Sequence, residues 1–155
     1  MKNFNRTLEN WDSIVIEHTK KWALPMSRFA IFFVYFYFGA IKVFSLEGAA
    51  NPMVVALLHS TLPSISPESF LVAFGVFEML IGLIFIIPNL ERLGIFVLAL
   101  HLFTTVLPLV VLPEFTWHSF MVPTLEGQYI IKNILIIALA IGILGHLHVY
   151  KREGR

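Results

Sequence analysis

The sequence predicts an all-α protein: an integral membrane four-helix bundle, preceded by an N-terminal amphipathic helix lying in the membrane interface. Three observations predict it. Hydrophobic residues fill 57% of the 155 positions and charged residues 14%, against about 45–50% and about 25% in soluble domains. Four apolar runs each approach the ~20 residues that cross a hydrocarbon core. Between the spans, lysines and arginines occur only in alternate connections, as cytoplasmic loops require. The length suits a single membrane domain, residues 1–155.

The elements follow in order. Phe4, Leu8, Trp11, Val15, His18 and Trp22 recur at three- or four-residue intervals, the stripe of a helix. Lys2, Arg6, Lys20 and Lys21 flank it. Residues 4–22 therefore read as an amphipathic helix on the membrane surface, the alternative being a soluble helix packed elsewhere on the fold. Pro25 resets the chain and can occupy the first turn of a new helix. Spans are expected over about 27–44, 70–87, 93–112 and 129–149. "PNLER" makes a very short connection between the second and third, which favours antiparallel neighbours. In the first loop, "NPMVVALLHSTLP" predicts a short helix capped by Asn51, with Pro52 at its first position.

Basic residues set the topology. The N-terminal segment, up to the start of the first span, holds Lys2, Arg6, Lys20, Lys21 and Arg28; Arg92 lies in the second loop, and Lys151, Arg152 and Arg155 form the tail. The first and third loops have neither Lys nor Arg and carry Glu47, Glu68, Glu114 and Glu126. Both termini are therefore expected in the cytoplasm. The first 25 residues lack the apolar core of a secretory signal, so the first span would direct insertion. Trp117 suits the headgroup level.

Several function classes are excluded. With no cysteine, the chain has no disulfide, Cys-ligated zinc, iron–sulfur cluster or thiol nucleophile of its own. A net charge of +1 gives no electrostatic case for nucleic acid. HExxH, GxSxG, P-loop and GxGxxG patterns are absent, and no closely spaced ligand set predicts a metal.

Polar groups inside the spans carry the functional signal, because a charge at mid-bilayer costs about 2.5–3.5 kcal/mol. Lys42, Glu78, His101 and Lys132 are such groups. Side chains lean toward their helix's N-terminus, so Lys42 leans into the bilayer and Glu78 leans outward. At 1.5 Å per residue, Glu78 lies roughly 12 Å and Lys42 about 3 Å below the outer end of its span. The pair is expected to meet, and a separation beyond ~8 Å would refute it. Gly75 and Gly82 share the face of Glu78 and permit close helix approach. Tyr35, Gly39 and Lys42 share one face of the first span; Gly94, His101, Thr105 and Pro108 share one of the third. His101 is either a neutral imidazole bonded to a carbonyl or a threonine one turn away, or a proton relay with Glu78. Lys132, with Gln128 one turn above it, either snorkels to the outer surface or lines an outward-facing cavity. His146 and His148 read as interfacial, and His59 and His118 sit on the outer loops with no role assigned.

The segments "FYFGAIKVF", "GVFEMLIGLIFIIPNLERLG" and "GQYIIKN" resemble the DoxX family of small four-helix membrane proteins, the pattern covering most of residues 28–145. Related inner-membrane proteins of reactive-chlorine resistance are similar too. The resemblance implies a bacterial inner-membrane bundle. It further implies a link to a quinone pool and to a soluble or membrane oxidoreductase partner, as in thiosulfate:quinone oxidoreductase or oxidative-stress assemblies. Lys42, Glu78 and Lys132 occupy its motif positions. Two alternatives stand beside that redox reading: a small-solute or proton transporter, which would need a homo-oligomer, and a non-catalytic assembly partner.

Overall fold

A computed structural model describes residues 2–45 and 52–147, with side chains from residue 9 onward. Helix α1, Lys2–Phe44, is followed by α2, Pro52–Thr61, α3, Pro67–Ile86, and α4, Glu91–Val106. Two single-turn helices come next, α5 at Pro108–Val111 and α6 at Pro113–Thr116. A small antiparallel hairpin pairs β1, Trp117–Ser119, with β2, Val122–Pro123. Helices α7, Leu125–Lys132, and α8, Ile134–Gly145, complete the order. Among the described residues, four helical segments are long and apolar enough to cross a membrane: Glu9–Phe44, Pro67–Ile86, Glu91–Val111 and Leu125–Gly145.

Pro25 does not start a new helix, contrary to the expectation of a separate surface helix at 4–22. It lies inside α1, which runs through it without a break. A proline forfeits one backbone hydrogen bond, and the residues around it favour helix enough to bridge the gap. Ser27 Oγ donates to the Ala23 carbonyl across this turn at 2.7 Å. The backbone at Phe4 and Leu8 is helical, but the side chains of residues 2–8 lie outside the described set, as do Glu47, Asn51, His148, Val149 and the basic tail.

The remaining boundaries follow local chemistry. Ser66 caps α3, its Oγ accepting from the Ser69 amide, with Pro67 in the first turn. Asn89 turns the chain into α4 at φ 66°, a left-handed geometry that asparagine tolerates better than most residues. Pro108 interrupts the third apolar segment for one residue. Asn133 interrupts the fourth, its amide still bonding the carbonyls of Ile130 and Ile131. Thr124 caps α7 by accepting from the Gly127 amide at 3.1 Å.

The hairpin in the third loop departs from the all-α expectation. Too short to show a strand period in sequence, it is held by specific bonds. Thr124 N–H donates to the Thr116 carbonyl and Thr124 Oγ1 to the Phe115 carbonyl. Trp117 Nε1 donates to the Leu109 carbonyl at 3.0 Å.

α1 makes its broadest contact with α3 and also touches α8, while α4 touches both α3 and α8. Ile31, Tyr35, Ile81, Phe85, Leu98, Leu102, Ala140 and Ile143, drawn from all four, form one buried core. A second cluster, Met53, Leu112 and Ile130, ties α2 to the third loop and α7. Away from these cores the helices present large apolar side chains, with Phe96 70% and Phe103 68% exposed. Water does not favour such a surface, and a hydrocarbon solvent does.

Candidate functional site

The α1–α3 crossing positions the site. Gly39 and Gly75 let the two backbones meet. A Cβ added at Gly39 would stand 2.5 Å from the Gly75 carbonyl, and one at Gly75 would stand 2.7 Å from the Gly39 carbonyl. No side chain fits there, so the helices are locked close, and Lys42 and Glu78 sit one turn beyond on the same faces. Lys42 Nζ donates to Glu78 Oε2 at 2.6 Å, well inside the distance expected from the sequence.

Glu78 and His101 are both more than nine-tenths buried. Glu78 Oε1 lies 3.4 Å from His101 Nε2, near enough for a charge contact but not aligned as a hydrogen bond. Nε2 is thus the buried side-chain nitrogen without a hydrogen-bond partner among the described residues. On the other side of the ring, Nδ1 lies 3.3 Å from both Tyr35 Oη and Thr105 Oγ1. The Thr105 hydroxyl proton has a shorter partner in the His101 carbonyl at 2.9 Å. Nδ1 therefore finds a partner in either tautomer: it accepts from Tyr35 O–H, or carries the ring proton and donates to Thr105 Oγ1.

Aromatic rings close the cluster. Phe74 stacks on the imidazole at 5.1 Å and 20° interplanar angle, Tyr35 meets it edge-on at 5.1 Å, and Phe77 lies at 6.0 Å. Lys42 Nζ also stands 5.6 Å from the Phe74 centroid. The result is a continuous polar line, Tyr35–His101–Glu78–Lys42, walled by apolar side chains. Lys42 is its least buried member, with 17% of its side chain exposed.

Five of the seven residues singled out from the sequence meet here: Tyr35, Lys42, Glu78, His101 and Thr105. Gln128 and Lys132 do not join them. Both are exposed on α7, with Lys132 Nζ 5.3 Å from the Tyr129 centroid. His59 and His118 are exposed as well, and His146 Nδ1 contacts the Gly142 carbonyl at 2.7 Å. Among the described residues no group of three or more His, Asp or Glu side chains could hold a metal ion.

A second polar cluster goes beyond what the sequence led us to expect. Arg28 Nη1 donates to Glu91 Oε1 at 2.6 Å, while Nε and Nη2 donate to the carbonyls of Phe85 and Ile86 at 2.7 and 3.1 Å. Arg28 thereby satisfies carbonyls at the C-terminus of α3 and pairs with an acid in the first turn of α4, both favourable ends for those charges. A signal for it is present in the sequence. Arg28 falls on the face shared by Tyr35, Gly39 and Lys42, although its position at the start of the first span marks it foremost as a topology residue.

Compared with known proteins, the chain matches no family model, no curated protein and no solved structure. The resemblance to DoxX proteins rests on the quoted segments alone.

Proposed function

We propose that the chain is a DoxX-like, multi-pass four-helix bundle of a bacterial inner membrane, with both termini cytoplasmic. In this reading its buried polar line holds and moves protons for a quinone-linked redox partner. The observation that carries it is Glu78, a carboxylate in an apolar helix divided between a lysine and a histidine. Ionisable groups at such depth are costly and serve pathways or ligands more often than packing.

The residues fit a quinone chemically. Nε2 of His101 is a buried nitrogen without a hydrogen-bond partner among the described residues, and Phe74 and Phe77 supply flat apolar walls. A bound quinone would contribute a two-electron, two-proton couple. The chain's part is protonic. Tyr35 and Glu78 stand at the two ring nitrogens of His101, so the imidazole would take up a proton at one nitrogen and release one from the other, with Glu78 holding it beside Lys42. The test is saturable binding of a short-chain quinone to the purified protein. Binding should fall at least tenfold in His101→Ala with helix content unchanged. A folded wild-type protein that binds no quinone sinks the redox reading.

A second reading is proton or small-solute transport, favoured by the partial exposure of Lys42 at one end of the line. Proteoliposome flux that is indifferent to Glu78→Gln dismisses it. The tight Gly39–Gly75 crossing beside the ion pair favours a third, an assembly partner whose charges only fix helix register. Unaltered physiology after neutralising both Lys42 and Glu78 would select it.

A further inference from the structure

We propose that α1 pairs with α1 of a second copy of this chain, along an apolar stripe that the described residues leave uncovered. Trp11, Trp22, Phe33 and Phe44 recur every 11 residues, and Val15, Met26 and Tyr37 repeat the same interval. An 11-residue repeat keeps a stripe on one side of a helix over many turns, as in right-handed coiled coils. Each of these seven side chains is at least 51% exposed. At 100° per residue the stripe lies about 160° from the face carrying Arg28, Ile31, Tyr35, Gly39 and Lys42, which packs on α3.

Lipid cannot cover all of it. A helix of 43 residues is about 64 Å long, against a hydrocarbon core of ~30 Å. With Phe44 at one edge of that core, Trp22 falls near the other edge and Trp11 about 17 Å beyond it. The apolar surface around Trp11 and Val15 therefore stands in water unless protein covers it. The same segment sets Glu9, Asp12 and Glu17 against Lys2, Arg6, Lys20 and Lys21, a near balance that weakens attraction to an anionic membrane surface.

A second copy fits for two reasons. Two chains inserted in one membrane share an orientation, so a two-fold axis along the membrane normal sets equal residues at equal heights. Each bulky side chain then meets its own counterpart, as an isologous contact requires. The area also suffices. Seven large side chains offering about 100 Å² each give roughly 700 Å² per copy, close to the ~800 Å² per partner of a stable interface. The equal-height argument rests on the membrane reading, whereas the repeat and its exposure do not.

The chain has no cysteine, so single introduced cysteines report cleanly. Val15→Cys and Met26→Cys lie on the stripe, and Ser13→Cys, also exposed, lies on the opposite side of α1. Mild oxidation of the full chain in native membranes should give a disulfide dimer at the two stripe positions, at least tenfold above Ser13→Cys. Adding Trp22→Glu to Val15→Cys should abolish the dimer while circular dichroism keeps its helical signal. Equal crosslinking on both faces, or none on the stripe, overturns the pairing. Protection of Val15→Cys from a water-soluble maleimide without dimer formation also overturns it, and assigns the stripe to lipid or another protein.

Discussion

At the scale of single residues, the informative feature is how few charges the interior holds and how fully each is used. Glu78 spends both oxygens, one on Lys42 and one facing His101. Removing one member of such a pair strands the other. Lys42→Met is expected to destabilise the protein by about 3–5 kcal/mol. The double substitution Lys42→Met with Glu78→Leu should cost clearly less than the two single changes summed. Unfolding in mixed detergent micelles measures both, and additive losses would show the pair is not coupled. Arg28 gives a second case. Its guanidinium reaches three acceptors at once, a geometry lysine cannot reproduce. Arg28→Lys should therefore lose about 1–3 kcal/mol in the same measurement. The Lys42–Glu78 pair was legible in sequence because depth and side-chain direction are simple functions of position. The full Arg28 contact was not, because two of its acceptors are backbone carbonyls, which any residue type would present.

At the scale of elements, close packing and its absence can be told apart by glycine. Gly39→Ala places a methyl group against the Gly75 carbonyl and the Met79 amide, neither of which can move without shifting a helix. It should destabilise by about 1–3 kcal/mol. A methyl group added at Gly142 in α8 would meet nothing within 4 Å, so Gly142→Ala should stabilise by about 0.5–1 kcal/mol through helix propensity. Thermal melts of the two variants check this; equal shifts in both would count against the crossing. The spans themselves were legible from apolar run length. Two things were not. The continuity of α1 through Pro25 depends on the balance between one lost bond and the helix on either side. The hairpin at Trp117–Pro123 is held by capping and carbonyl contacts of Thr116, Thr124 and Trp117 rather than by a strand pattern.

At the scale of the whole molecule, the alternation of basic and acidic connections makes a prediction about sidedness. A single cysteine at Ser119 should be labelled by an impermeant reagent added to the outside of intact cells. One at Lys20 should be labelled only after permeabilisation. The reverse pattern would invert the topology, and with it the side from which Lys42 is reached. The arrangement of the helices was legible only in part. Short loops dictate that neighbours run antiparallel, but closure of α8 against α1 depends on which faces remain apolar after the other contacts form. That is a property of the packed set, which no single segment declares.

The Arg28 and Lys42 contacts also govern the order of events during synthesis. Lys42 leaves the ribosome 36 residues ahead of Glu78, and Arg28 leaves 63 residues ahead of Glu91. At roughly 5–20 residues per second, Lys42 waits about 2–7 s and Arg28 about 3–13 s for the partner that neutralises it. In the proposed membrane reading, the first span would carry a charge with no mate over that interval, at a cost in lipid. The insertion machinery, or the water beside it, would then shelter Lys42 until the second span arrives. The first helix to be made thus waits for the α3–α4 hairpin to meet its charges, and for α8 to complete the core it shares.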